Sequence, residues 1–172
     1  MSSLNKSTFF KVALLYSPTV LLFFSVFNEF DFNYLKIKYF SFNFAHILIF
    51  YWTLKNPNLL GYLSIFLAGV INDVVTGLPI GVSSLSYLLI CAVTAYIRNI
   101  TLRPNFIQDW ISFFLTILVI NSLQILILEF IFLYKLNYEI YFLNLGLTFI
   151  LYPLFFLIFN FINPKKIIKE ND

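Results

Sequence analysis

Few side chains in this sequence could do chemistry, and they stand far apart in an apolar chain. Asp73 is the sharpest. It is the only charged residue between positions 59 and 97, and Gly77, Pro79 and Gly81 follow it within eight residues. A carboxylate at the centre of a membrane helix costs ~2.5–3.5 kcal/mol on insertion scales, and less near an end. Asp73 is therefore either a charge in the headgroup layer or an inward-facing group that hydrogen-bonds a backbone or another helix. Glycine permits positive φ and close backbone approach. Pro79 suits the first turn of a helix, where its missing N–H costs nothing. The segment reads as helix, tight turn, helix.

The other candidates are scattered. Glu129 is an acid in a long apolar run, and an intramembrane acid is a functional candidate by default. It also precedes Lys135 by only six positions, which suits an interfacial charge equally well. Asn121 and Gln124, three apart, share one helix face. A hydrogen bond to a neighbouring helix is the preferred role for them, ahead of substrate binding. His46 is the only histidine. One imidazole without further ligands makes no metal site, so a helix-to-helix hydrogen bond is expected. Cys91, the single cysteine, behaves as a small apolar residue. No nucleophile has a base, no phosphate loop occurs, and no His/Cys cluster exists. The sequence predicts neither an enzyme nor a cofactor or metal.

Composition says what must position these groups. Of 172 residues, 60% are hydrophobic and 11% are charged, against ~45–50% and ~25% in a soluble domain. So few charges cannot cover a water-exposed surface. Five or six spans of ~20 residues consume nearly all the apolar positions. No room remains for a folded domain outside the membrane, which excludes soluble enzymes, nucleic-acid modules and receptors with a sensory domain. Net charge is +3, with no basic run. The 23 phenylalanines and 11 tyrosines read as packing and interface anchors.

Hydropathy and breaks predict an all-α, polytopic integral membrane protein: one domain over residues 1–172. Its spans are placed at 9–27, 39–54, 59–75, 80–97, 107–134 and 140–162. Five spans remain open if the short second and third stretches are not two full crossings. The first stretch, after Lys6 and Lys11, reads as a retained span with Pro18 inside it, because acids and no small-x-small site follow. Residues 28–38 form the longest loop. Lys55-Asn56-Pro57-Asn58 and Thr76-Gly77-Leu78-Pro79 are short breaks. Arg98 to Asn105, then Lys135 to Glu139, form the later loops. Trp110 suits a headgroup-level anchor. Six spans put Lys6, Lys11, Lys55, Arg98, Arg103, Lys165, Lys166 and Lys169 on one side and Lys36, Lys38 and Lys135 on the other. Eight basic residues against three predict cytoplasmic termini and place the Thr76 to Pro79 turn on the far side. The lysine tail suits anionic membrane lipid.

Small residues gather around Asp73. Gly77 and Gly81 show the small-xxx-small spacing of membrane helix packing. Gly61, Ala68 and Gly69 on span three, with Ser83, Ser84 and Ser86 on span four, predict two closely packed helices with Asp73 at the rim.

These residues carry a resemblance. YWTLKNPNLLGY, then LAGVINDVVTGLPIG, then LSYLLICAVTAYIRN resemble the MreD family of rod shape-determining proteins, over residues 51–99. Gly69, Asp73, Gly77, Pro79 and Gly81 occupy the family's ordered Gly/Asp/Gly/Pro/Gly series. The resemblance implies a non-enzymatic component of the bacterial cell inner membrane and of the elongation machinery (the elongasome). Its implied partners are an MreC-like periplasmic protein and, indirectly, an MreB-like filament and the synthases of lateral peptidoglycan synthesis. It also implies a fold like the six-helix S-component subunits of vitamin transporters. A homodimer is left open. Under this reading the junction of spans three and four meets a partner's helix, with Asp73 orienting the turn or bonding the partner. The competing reading is a small-molecule binding subunit of a membrane transporter, with His46, Asn121, Gln124 and Glu129 as its polar pocket.

Overall fold

The computed structural model describes residues 16–26, 42–101 and 105–162. The termini, with Lys6, Lys11 and the lysine tail, lie outside the described residues, as do the first loop (28–38) and Arg103. Every regular element among the described residues is helical. In order they are α1 (Tyr16–Val26), α2 (Phe44–Lys55), a 3-10 turn (Pro57–Leu59), α3 (Tyr62–Thr76), α4 (Val82–Ile100), α5 (Phe106–Leu126) and α6 (Tyr138–Ile162). A π-turn, Ile127–Ile131, prolongs α5. The all-α expectation holds.

The long helices show why the chain needs lipid. Phe106–Ile131 and Tyr138–Ile162 are both long and apolar enough to cross a membrane. On α5, Ile107, Ile111, Leu115 and Val119 form an outward stripe with more than half their surface exposed. On α6, Phe142, Ile150, Leu157 and Phe161 do the same. Apolar exposure on this scale exceeds what a monomer tolerates in water, and in hydrocarbon it carries no penalty.

The short helix has the opposite environment. α2 has twelve residues, about 18 Å at ~1.5 Å per residue, against a hydrocarbon core of ~30 Å. Every residue from 45 to 54 is buried. A helix apolar on all sides belongs in an interior, and α2 packs between α4 and α6. Asn56, extended at φ −146° before Pro57, ends it.

Aromatic rings fill the space between α2, α5 and α6. Phe113 stacks on Tyr152 at 4.4 Å, Phe50 meets Phe113 at 5.1 Å, and Tyr51 meets Phe159 at 5.2 Å. Such pairs add ~0.5–1.5 kcal/mol beyond area burial. Trp110 also takes part in this packing. Its ring stacks on Phe149 at 4.9 Å and its Nε1–H donates to the Phe149 carbonyl at 3.1 Å.

Several helix ends differ from the hydropathy limits. α4 starts at Val82 and runs through Arg98 and Asn99, residues assigned to a loop. α6 includes Glu139 and carries Pro153 inside it. The fifth helical stretch stops at Ile131, not Tyr134. The chain turns there at Leu133 (φ 52°), and the Tyr134 N–H reaches back to the Leu128 carbonyl. Phe130 to Tyr134 are apolar and exposed, so hydropathy alone extends the helix past its end.

One ion pair ties the opposite end of the bundle. Lys55 Nζ lies 2.7 Å from Asp109 Oδ2, and Asp109 is buried. Lys55 is in the last turn of α2 and Asp109 in the first turn of α5, so each charge also complements its own helix dipole. Removing one partner of a buried pair leaves an uncompensated charge. Lys55→Met is expected to destabilise by about 3 kcal/mol. It should lower the apparent melting temperature in detergent, and adding Asp109→Leu should restore most of the loss. A double variant no better than the single one would show that the pair is not what Lys55 contributes.

Candidate functional site

The α3–α4 junction is built around Asp73, which has no exposed surface. Its backbone carbonyl closes α3. The Gly77 N–H donates to it, and the Leu78 N–H donates at 3.0 Å. Gly77 takes φ +70°, the left-handed C′ position that glycine fills in this capping motif. The Asp73 carboxylate then opens α4. Oδ2 accepts from the Gly81 N–H at 2.7 Å, and Oδ1 accepts from the Ser83 N–H at 2.9 Å. The first N–H groups of a helix lack internal partners, and a carboxylate there also meets the positive end of the helix dipole. Asp73 thus caps the next helix from the preceding one. Of the two readings open in the sequence, the inward-facing one is the geometry found.

The glycines have different jobs from those the spacing suggests. Gly81 takes φ +105° at the third position of a turn closed by the Val82 N–H and the Pro79 carbonyl, 3.3 Å apart. A Cβ on Gly77 or Gly81 would meet nothing within 4 Å. Their requirement is positive φ, not the helix contact inferred from their four-residue spacing. Close approach belongs to Gly69. A Cβ there would lie 2.3 Å from the Ser84 Cα and 2.6 Å from its N. Gly61 precedes α3 and takes no part in that approach. Pro79 is in the turn, two residues before the α4 N-cap Gly81, and not in the first helical turn.

Serines and Asn72 complete the junction. Ser84 Oγ donates to the Phe66 carbonyl at 3.1 Å, and Asn72 Nδ2 donates to Ser83 Oγ at 2.9 Å. Ser83, Ser84 and Ser86 are buried, as is Ala68. The turn shows an apolar side to its surroundings: Ile80 is 74% exposed.

The remaining candidates divide. His46, Asn121 and Gln124 are buried and share the wall of one cavity beside the junction. His46 meets the Tyr87 ring edge-on at 5.6 Å, and Gln124 Oε1 accepts from Ser86 Oγ at 3.4 Å. Glu129 does not line that cavity. It lies in the π-turn and accepts from the Tyr138 hydroxyl. Cys91 is buried and receives the Thr53 hydroxyl at 3.6 Å. Among the described residues no group of three His, Cys, Asp or Glu could hold a metal. Asn43, Asn72 and Asn144 were not singled out from sequence. Each is one amide in an apolar stretch, and only the fold brings them to the same cavity.

The junction makes a ranked prediction. Asp73→Ala removes two hydrogen bonds to a charged group, at ~1.5–3 kcal/mol each. Gly69→Ala forces a side chain into backbone, where overpacking costs ~1–3 kcal/mol. Gly77→Ala meets open space and only the ~1–2 kcal/mol conformational term. Apparent melting temperatures should therefore fall most for Asp73→Ala and least for Gly77→Ala. Asp73→Asn, with one acceptor oxygen left, should fall between Asp73→Ala and the unmodified chain. The opposite order for Asp73 and Gly77 would remove Asp73 from the centre of the junction.

A family model described as rod shape-determining protein MreD matches residues 8–162. No curated protein and no solved structure matches the chain.

Proposed function

The chain belongs to the MreD family of rod shape-determining proteins, and from that premise we propose that it is a non-enzymatic organiser of lateral peptidoglycan synthesis. It acts in the bacterial inner membrane with both termini in the cytoplasm. Its direct partner is the transmembrane helix of an MreC-like protein, and an MreB-like filament and the cell-wall synthases act through that partner. The supporting observation is the α3–α4 junction, whose exposed turn is held from inside by Asp73.

That geometry refines how the contact would work. Both Asp73 oxygens bond within the chain, so Asp73 sets the shape of the turn and does not itself reach the partner. The side chain offered outward is Ile80, with Leu78 and Pro79 half-buried beside it. A partner helix packs against such a surface through van der Waals contact, since lipid supplies no hydrophobic drive between helices. A fixed turn loses little entropy on binding.

Co-purification from membranes with a tagged MreC-like partner separates the two roles. Ile80→Glu should reduce capture about tenfold, ~1.4 kcal/mol, while leaving the melting temperature unchanged. Asp73→Ala should reduce capture and stability together. Full capture by Ile80→Glu would move the contact elsewhere on the bundle. In cells depleted of the native protein, loss of rod shape is expected, and unaltered shape would reject the organising role itself.

A further inference from the structure

A polar cavity of about 330 Å³ opens at the end of the bundle that carries the α3–α4 turn. Its size falls within the ~300–1,000 Å³ typical of small-molecule sites. The wall is drawn from the starts of α2, α4 and α6, the ends of α3 and α5, and the segment 134–137. A water-sized polar gap is ordinary in a protein. A cavity this large, faced with amides and hydroxyls inside a membrane bundle, is costly to keep unless something polar occupies it.

The chemistry of the wall selects the occupant. Hydrogen-bonding groups dominate it, and His46, Ser83, Ser86, Tyr87, Asn121 and Gln124 are its buried ones. His46 is 3% exposed, and its Nδ1 has no hydrogen-bond partner. A buried polar atom left unmade costs ~1–3 kcal/mol, so the imidazole adds to the polarity of this wall. Among the described residues no carboxylate lines the cavity, and the one charged group on its wall is Lys135, exposed in the α5–α6 connection. The starts of α2 and α6 add partial positive charge. The start of α4 adds little, because the Asp73 carboxylate already holds the Gly81 and Ser83 N–H groups. A divalent cation finds no acid among these described lining residues. A neutral sugar would leave Lys135 and the helix ends unused.

We infer that this cavity binds a hydroxylated small molecule or lipid headgroup carrying one anionic group. The anionic group pairs with Lys135 at the mouth, and the hydroxyls bond to Asn121, Gln124 and the His46 imidazole below it. Phosphatidylglycerol, a phosphodiester, and free sn-glycerol 3-phosphate, a phosphomonoester, both join an anionic phosphate to a glycerol bearing two hydroxyls, and they come from different sources. The inference stands whether or not the turn carries an MreC-like partner, because it concerns the isolated chain.

Native mass spectrometry of the purified full chain tests it. Dioleoylphosphatidylglycerol, dioleoylphosphatidylcholine and sn-glycerol 3-phosphate are the probes, and a melting curve accompanies each. Expected is retention of phosphatidylglycerol over phosphatidylcholine by about tenfold. Retention should fall about tenfold in Asn121→Leu and in Lys135→Gln, whose exposed position leaves the fold intact. Retention of glycerol 3-phosphate as well identifies a site open to free solute, and retention of the lipid alone identifies a headgroup site. Both support the inference. Equal retention of the two lipids, equal retention by Lys135→Gln, or no retention of any probe overturns it.

Discussion

The junction depends on one carboxylate serving two helices. The Asp73 carbonyl ends α3 and its side chain begins α4. Five residues, 77 to 81, separate the two helices. In lipid each unmade backbone group costs several kcal/mol, because no water replaces the partner. A reversal this tight would ordinarily strand N–H groups at the start of α4. Asp73 supplies their acceptor from a rigid helix, and the N–H groups supply the carboxylate with its compensation. The charge is costly alone and the bare helix end is costly alone, while together they satisfy each other.

The Gly69–Ser84 approach follows from the same geometry. Helices joined by so short a turn must run side by side from its first residue. The carboxylate can span to Gly81 and Ser83 only if the two backbones stay close. A glycine opposite the Ser84 backbone permits that distance, and the serine hydroxyl bonds back across the gap to the Phe66 carbonyl. Small residues in membrane helices therefore have a local purpose here, which is to keep the capping group in reach.

Much of this was legible in the sequence and some was not. Composition and the breaks at Pro57 and Gly77 predict an all-helical membrane chain with nearly correct helix positions. The charge of Asp73 in an otherwise uncharged run, beside glycines, marks the junction. The roles of the glycines were not legible, because four-residue spacing looks the same whether a glycine supports packing or positive φ. The end of the fifth helical stretch at Ile131 was hidden as well. No glycine or proline marks it, and the residues beyond remain apolar. The pairing of Trp110 with Phe149 was not legible either, since 39 positions separate them. Lys55 and Asp109 are 54 positions apart, so only the packing of α2 on its neighbours reveals their pairing.

The buried α2 links the junction to the cavity. A helix of twelve residues is too short to line the whole height of the bundle. Toward one end it meets the aromatic packing of α5 and α6 and the Lys55–Asp109 pair. At the other its N-cap Asn43 lies on the wall of the polar cavity. Phe44 and its neighbours rest on Phe155 and Phe159, while Asn43 bonds to Thr148 and Asn144. The change from aromatic to amide along one helix thus marks the floor of the polar space. His46, on the first turn of α2, is the residue on that boundary, with one face on the Tyr87 ring and its Nδ1 unpartnered. A helix with an apolar body and a polar start thus joins the aromatic packing to the polar cavity, and the Asp73 turn stands beside that cavity.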